Sequence, residues 1–254
     1  MWKKIRITIL SLILVYVSIS SYRDLNPNWD SKTTIVVHPV NVQKDKFVDQ
    51  YIKDIKPTDF DDISEFLTKN ATRYRNKDTS INVVLGSTLK TPPPIVDEKV
   101  ASSIFNTALW SLKFKFYALW NMKSEDIGAD SIMYLTYYYS KNVDQLERST
   151  ALQRGRIGLV NLYGEHAMAA MNNVIIAHEA LHTFGAIDFY DLNTGIPIYP
   201  IGYAEPNKKP LYPQTKAEIM GGYILLNDQD FTIPDGFDEV VLSKDTAKYL
   251  KWID

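Results

Sequence analysis

His178-Glu179-Ala180-Leu181-His182-Thr183-Phe184-Gly185-Ala186-Ile187-Asp188 reads HExxHxxGxxD, and it holds two of the four histidines in the chain. The residues before it, Asn173-Val174-Ile175-Ile176-Ala177, are mostly apolar. That places the pair on a helix with a buried face, with Asn172 or Asn173 as candidate N-caps. At about 3.6 residues per turn, positions i and i+4 share a face, so both imidazoles can point at one ion. Glu179 is rotated about 100° from His178. It is better placed to take a proton from a metal-bound water than to share the metal. Gly185 tolerates the left-handed conformation that ends a helix, so the chain can turn back there. Asp188 then returns toward the two histidines. A catalytic zinc takes three protein ligands and a water; His178, His182 and Asp188 supply that set. A plain core helix with two half-buried histidines would explain the apolar face, but it gives Gly185 and Asp188 no task at these offsets.

Three other side chains compete for the third ligand position: Asp191, Glu205 and His166. The Gly185-x-x-Asp188 spacing fits the turn back to the metal and favours Asp188. Two imidazoles and one carboxylate leave less net charge on the ion than three imidazoles, so the bound water is expected to be slightly less acidic, yet still activated relative to bulk.

His178-Glu179-x-x-His182-x-x-Gly185-x-x-Asp188 resembles the zinc signature of the metzincin metalloproteases. Aspartate as third ligand is similar to the snapalysin-like bacterial members. That clan carries a methionine turn beneath the metal. Ala217-Glu218-Ile219-Met220-Gly221-Gly222-Tyr223 is the matching stretch, with Met220 coming 32 residues after Asp188. Many members have a functional tyrosine two residues after that methionine. Here that position is Gly222, and Tyr223, one further on, is the candidate transition-state stabiliser. The resemblance is strongest between residues 157 and 223. It implies an α+β zincin-like fold: a mixed twisted sheet, an active-site helix, a C-terminal helix, and a cleft between an upper and a smaller lower lobe. It also implies a zinc-dependent peptidase, with a protein or peptide as substrate. The alternative is a zincin-like extracytoplasmic adhesin or assembly protein that binds zinc without cleaving. Intact Glu179 argues for the enzyme.

The composition narrows the field further. The 254 residues suit one catalytic domain, and a 45% apolar content can fill a large core. A net charge of −2 gives no basic footprint for nucleic acid. With no cysteine, disulfides, thiolate ligands and a cysteine nucleophile are excluded. Lys3, Lys4 and Arg6 precede an apolar run of 13 residues, 7–19. A basic flank and a run of that length read as a signal peptide or membrane anchor, with the rest of the chain outside the cytoplasm. The expected organisation is residues 1–20 as signal or anchor, 21–32 as a short linker and 33–254 as the catalytic domain.

Within that domain, residues 33–38, 81–85, 132–139 and 156–163 read as strands. His38 in the first is expected to be structural. The strand at 156–163 is expected to border the cleft and pair with extended substrate. Residues 58–75 read as a helix, as do 96–121 and 243–252. In the second of these, Ile104, Phe105, Ala108, Leu109 and Leu112 form an apolar stripe, widened by Trp110, Phe114, Phe116 and Trp120, and are expected to pack into the core. The loop 197–213 is a candidate shaper of substrate subsites.

Overall fold

The computed structural model describes residues 2–96, 100, 103–143 and 145–254; for Tyr16 it describes the backbone only. Its framework is a five-stranded sheet of order β2-β1-β3-β5-β4. The strands are β1 (Thr33–Asn41), β2 (Ile81–Leu85), β3 (Ser131–Tyr138), β4 (Thr150–Leu152) and β5 (Ile157–Tyr163). β1 pairs in parallel with β2 and β3, and β3 in parallel with β5; β4 alone runs antiparallel, against β5. The three inner strands are buried almost throughout their length. This follows from parallel topology, because crossover helices cover both faces. It explains why these strands read as continuous runs of bulky apolar residues.

On one face, Ile35, Val37, Leu135 and Leu162 pack with Ile63 and Leu67 of α3 (Asp61–Arg75) and Ile176 and Ala180 of α5 (Ala169–Thr183). Val48 and Tyr51 of α2 (Lys46–Asp54) join the same core. On the other face, Val40, Tyr134 and Leu159 pack with Trp110 and Phe114 of α4 (Ile104–Trp120). Short strands β6 (Ala217–Glu218) and β9 (Val240–Val241) pair in parallel, and β7 (Ile224–Leu225) pairs antiparallel with β8 (Phe231–Thr232). The chain ends in α6 (Lys244–Tyr249), which Ser243 caps by accepting a hydrogen bond from Thr246 N at 3.2 Å.

Several expectations need correction. The strand at 156–163 is interior; β4 is the sheet edge beyond it. The helix expected over 96–121 is broken at Ser103: Val100 is helical, a separate helix runs from Ile104, and residues 97–99 and 101–102 lie outside the described set. Ile104, Phe105, Leu109, Leu112, Phe116 and Trp120 are exposed; only the opposite side of α4, with Trp110 and Phe114, reaches the core. A helix lying on one face of a sheet has one side to bury, and the apolar residues of α4 exceed it. The 21–32 stretch is no free linker. Helix α1 (Trp2–Leu25) runs into it, and Trp29 is buried against Phe184 and Trp252 with its indole N–H donating to Leu250 O at 2.7 Å. Helix α1 is long and apolar enough to be a signal sequence or a membrane span.

Candidate metal centre

Helix α5 starts at Ala169, so Asn172 and Asn173 lie within it and are not its caps. Both are buried and spend their amides on tertiary ties. Asn172 donates to Tyr163 O at 2.8 Å, and Asn173 donates to Asp59 O at 2.6 Å and Asp62 Oδ1 at 2.8 Å. These bonds fix α5 to β5 and to the start of α3. The helix therefore carries His178, Glu179 and His182 on a rigid mount.

At its C-terminal end, Gly185 takes φ +106°, in the region that side-chain-bearing residues avoid. The reversal brings Ala186 O to 2.8 Å from His182 Nδ1. On the other side, Ile219 O lies 2.7 Å from His178 Nδ1. A carbonyl can only accept, so each Nδ1 carries a proton, and in the neutral, metal-binding form each Nε2 turns a lone pair toward the cleft. A hydrogen bond of this kind from the far ring nitrogen is what fixes the tautomer of an imidazole that binds a metal.

The Nε2 atoms are 3.1 Å apart, and Asp188 Oδ1 lies 3.2 Å from that of His178 and 3.1 Å from that of His182. A tetrahedral ion with ligands at about 2.0–2.1 Å keeps them about 3.3–3.4 Å from one another. The triangle is close to that size. Asp188 Oδ1 is sealed from solvent and has no hydrogen-bond donor in line with it. With both imidazoles neutral this is a convergence of acceptors that a cation would join; without a cation, a proton on His178 Nε2 makes the contact an ion pair. Glu179 also approaches: it, His178 and His182 offer one ligating atom each within 4.8 Å of one another. That set is looser than the triangle closed by Asp188, so the tighter one is the better ligand set. Glu179 is buried beside it, and burial pushes its carboxyl pKa up against the opposing pull of His178 and His182.

Charge within the triangle is strongly coupled. Burial alone would lower the His178 pKa, but contact with Asp188, the charges of Glu179 and Asp188, and the Ile219 carbonyl outweigh it and lift the imidazole to about 9. Burial would raise Asp188; the two imidazoles against it hold its carboxyl well below the usual carboxylate range.

The competitors for the third position are engaged elsewhere. Asp191 Oδ1 accepts from Asn193 N at 3.0 Å and Thr194 N at 2.9 Å. Glu205 Oε2 accepts from Thr215 N at 2.6 Å and Thr215 Oγ1 at 2.8 Å. His166 is exposed, 3.7 Å from Asp54. His38 is buried, with both ring nitrogens occupied: Nδ1 is 2.7 Å from Ser87 O and Nε2 2.8 Å from Asp126 Oδ1. That leaves it a structural residue.

Met220 is fully buried in the main core, at a tight turn in which Gly221 N and Gly222 N both reach Glu218 O at 2.9 Å. The buried Glu218 carboxylate braces this turn. It accepts from Met220 N at 2.6 Å, Gly221 N at 3.0 Å, Ser243 N at 3.0 Å and Thr246 Oγ1 at 2.6 Å. Since Ile219 supplies the carbonyl to His178, the Met220 turn is bonded directly to the histidine pair.

A cleft of about 780 Å³ opens onto the triangle, within the range of small-molecule and peptide sites. Thr150 and Ala151 of β4, Asn161, Tyr190, Gly222, Tyr223 and Pro234 are among its lining residues. None of residues 197–213 lines it. Tyr223 packs on Phe231 at 4.5 Å and edge-on to Tyr190 at 5.9 Å, so Tyr190 stands between it and His178. Sequence reasoning overlooked Tyr190. Its ring stacks 6.3 Å from that of His178, and burial together with the Asp188 and Glu179 charges raises its phenol well above the ordinary value. It therefore stays a proton donor. Its position two residues after Asp188 was the available signal.

No family model and no curated protein matches the chain. Among solved structures it is similar to one described as "Structure of a chaperone-substrate complex", at 13% identity and a TM-score of 0.41, over 88% of this chain and 35% of that one. The chain thus spans about a third of that structure's length, and a likeness at this level leaves fold and function to be argued from the chain itself.

Proposed function

We propose that this chain is a zinc-dependent peptidase, a metalloendopeptidase of zincin type, with His178, His182 and Asp188 as ligands and Glu179 as general base. The observation that carries this reading is the 3.1–3.2 Å triangle of two correctly tautomerised imidazoles and a carboxylate. Bound there, zinc supplies a Lewis acid and a water acidified toward neutrality. Glu179, lifted in pKa by its burial, takes a proton from the attacking water and returns it to the leaving amine. Tyr190, which lines the cleft and keeps its phenolic proton, is the group assigned to donate to the developing oxyanion. The edge strand β4 borders the cleft, and an extended peptide adding to it would bring its backbone past the triangle. The sheet, the helix bearing the histidines and the Met220 turn support the metzincin reading of the fold. Helix α1 supports an extracytoplasmic domain, secreted or anchored in the membrane, with Lys3, Lys4 and Arg6 on the cytoplasmic side.

The test pairs metal analysis with digestion of a protein substrate such as casein. Wild type is expected to hold one zinc and to cleave. Glu179→Gln is expected to keep the zinc and lose turnover by about 10²–10⁴-fold. Cleavage by Glu179→Gln at the wild-type rate would overturn the mechanism. Stoichiometric zinc with no turnover of any substrate by wild type would favour a non-catalytic binding protein.

A further inference from the structure

Helix α4 is apolar on two sides. Its inner side, with Trp110 and Phe114, packs on the sheet. On the outer side Phe105, Leu109, Leu112, Phe116 and Trp120 recur at spacings of three and four and so form one stripe. Their exposures run from 42% at Leu109 to 90% at Trp120. At 100° per residue Lys113 and Lys115 fall on either side of that stripe. An apolar stripe edged by lysines and ending in tryptophan is the pattern of a helix lying in a lipid interface.

The position of α4 relative to α1 identifies the lipid surface. Helix α1 has 24 residues and is about 36 Å long, against a hydrocarbon layer of about 30 Å. With Lys3, Lys4 and Arg6 at one interface, the last turn of α1 falls at headgroup depth on the other. That turn is bonded to the domain. Gly155 N donates to Asp24 Oδ2 at 2.8 Å, Arg156 Nη2 donates to Arg23 O at 2.6 Å, and Lys251 Nζ donates to Leu25 O at 2.8 Å. Lys115 of α4 lies directly over Gly155: a Cβ built there would sit 3.4 Å from Lys115 Cε. One flank of the stripe is thus in contact with the groups that receive the end of α1.

We propose that the outer face of α4 is a second membrane contact, seated in the interface of the same leaflet from which α1 emerges. The proposal rests on α1 remaining in the bilayer. The two contacts together hold the domain against the lipid in one orientation.

The chain has no cysteine, so single nitroxide labels can be placed without background. Full-length protein carrying a label at Leu112→Cys, Phe116→Cys, Leu14→Cys in α1 or Glu65→Cys on α3 would be reconstituted in vesicles of phosphatidylcholine and phosphatidylglycerol. Collision with oxygen and with a water-soluble nickel chelate would then be measured by spin resonance. All four positions are exposed in the isolated chain. The expected result is that positions 112 and 116 collide with nickel several-fold less than position 65 while remaining open to oxygen, with position 14 deeper still. Position 14 in lipid with 112 and 116 as water-accessible as 65 overturns the proposal and leaves the anchor standing. Nickel-accessible labels at position 14 as well as 112 and 116 overturn both. Labels at 112 and 116 shielded from oxygen and nickel alike, with spin–spin broadening, would assign the face to a second copy of the chain and overturn the proposal.

Discussion

The Nδ1 proton of His182 is donated to the carbonyl of Ala186, four residues further along the same chain, at 2.8 Å. The helix ends, reverses and supplies the carbonyl that orients its own cleft-facing histidine. The reversal depends on Gly185 at φ +106°, where a Cβ would also lie 2.5 Å from Gln153 Nε2.

Gly185→Ala is therefore expected to destabilise the domain by about 1–3 kcal/mol. It should also weaken zinc binding by about tenfold or more, because the imidazole loses its fixed tautomer. Thermal unfolding and zinc titration on the same preparation measure the two effects. Wild-type affinity in the variant would show that the Ala186 carbonyl does not orient His182.

Asp188→Ala removes one corner of the triangle and should reduce zinc affinity by two orders of magnitude or more. Asp191→Ala and Glu205→Ala should leave the metal in place, since those carboxylates hold the turn at Thr194 and the Thr215 backbone. Metal content after dialysis against a weak chelator ranks the three. Loss of zinc from Glu205→Ala with retention in Asp188→Ala would invert the ligand assignment.

Zinc uptake should be coupled to protons in a definite direction. In the metal-free protein His178 is lifted from 6.5 to about 9. The ion pair with Asp188 thus stabilises the metal-free fold fully below pH about 6.5, and this contribution is lost as pH rises through about 9. Zinc must displace that proton. Near neutral pH about one proton should leave His178 per zinc bound, and the apparent affinity should fall by about tenfold for each unit below pH 9. Calorimetry in buffers of different ionisation enthalpy counts the proton. An affinity constant between pH 7 and 9 would remove the coupling.

Tyr190→Phe should keep zinc and substrate affinity and lower kcat by about 10²-fold. Tyr223→Phe should change kcat little, since Tyr223 faces Phe231 and the edge of Tyr190. Steady-state kinetics with one peptide substrate separates the two. An unaffected Tyr190→Phe would take the phenol out of the chemistry.

The features legible in the sequence are those governed by short-range periodicity. The spacing of His178 and His182, the glycine at 185 and the bulky runs of β1, β3 and β5 all express local geometry. Three features were hidden because they depend on what lies across space. β4 is a three-residue strand with half-buried side chains, and only its pairing with β5 makes it the sheet edge. The stripe on α4 looks like core in one dimension, since the sequence does not say that a helix on a sheet can bury only one side. Trp29 lies in a polar stretch that reads as a linker, and the partners that bury it, Phe184 and Trp252, are more than a hundred residues away.

Only Asn26, Pro27 and Asn28 separate the last residue of α1 from the buried Trp29. With α1 kept in the bilayer, as proposed, the cleft would have almost no leash. It would be carried at one height above the bilayer and one heading, so for the proposed peptidase reach would decide much of what it cuts. A bond in a distant soluble protein would be inaccessible however well its side chains fit, while a bond presented at that height by a membrane neighbour would meet the cleft repeatedly. Inserting a flexible segment after Asn26 would widen that radius without altering a single residue of the cleft.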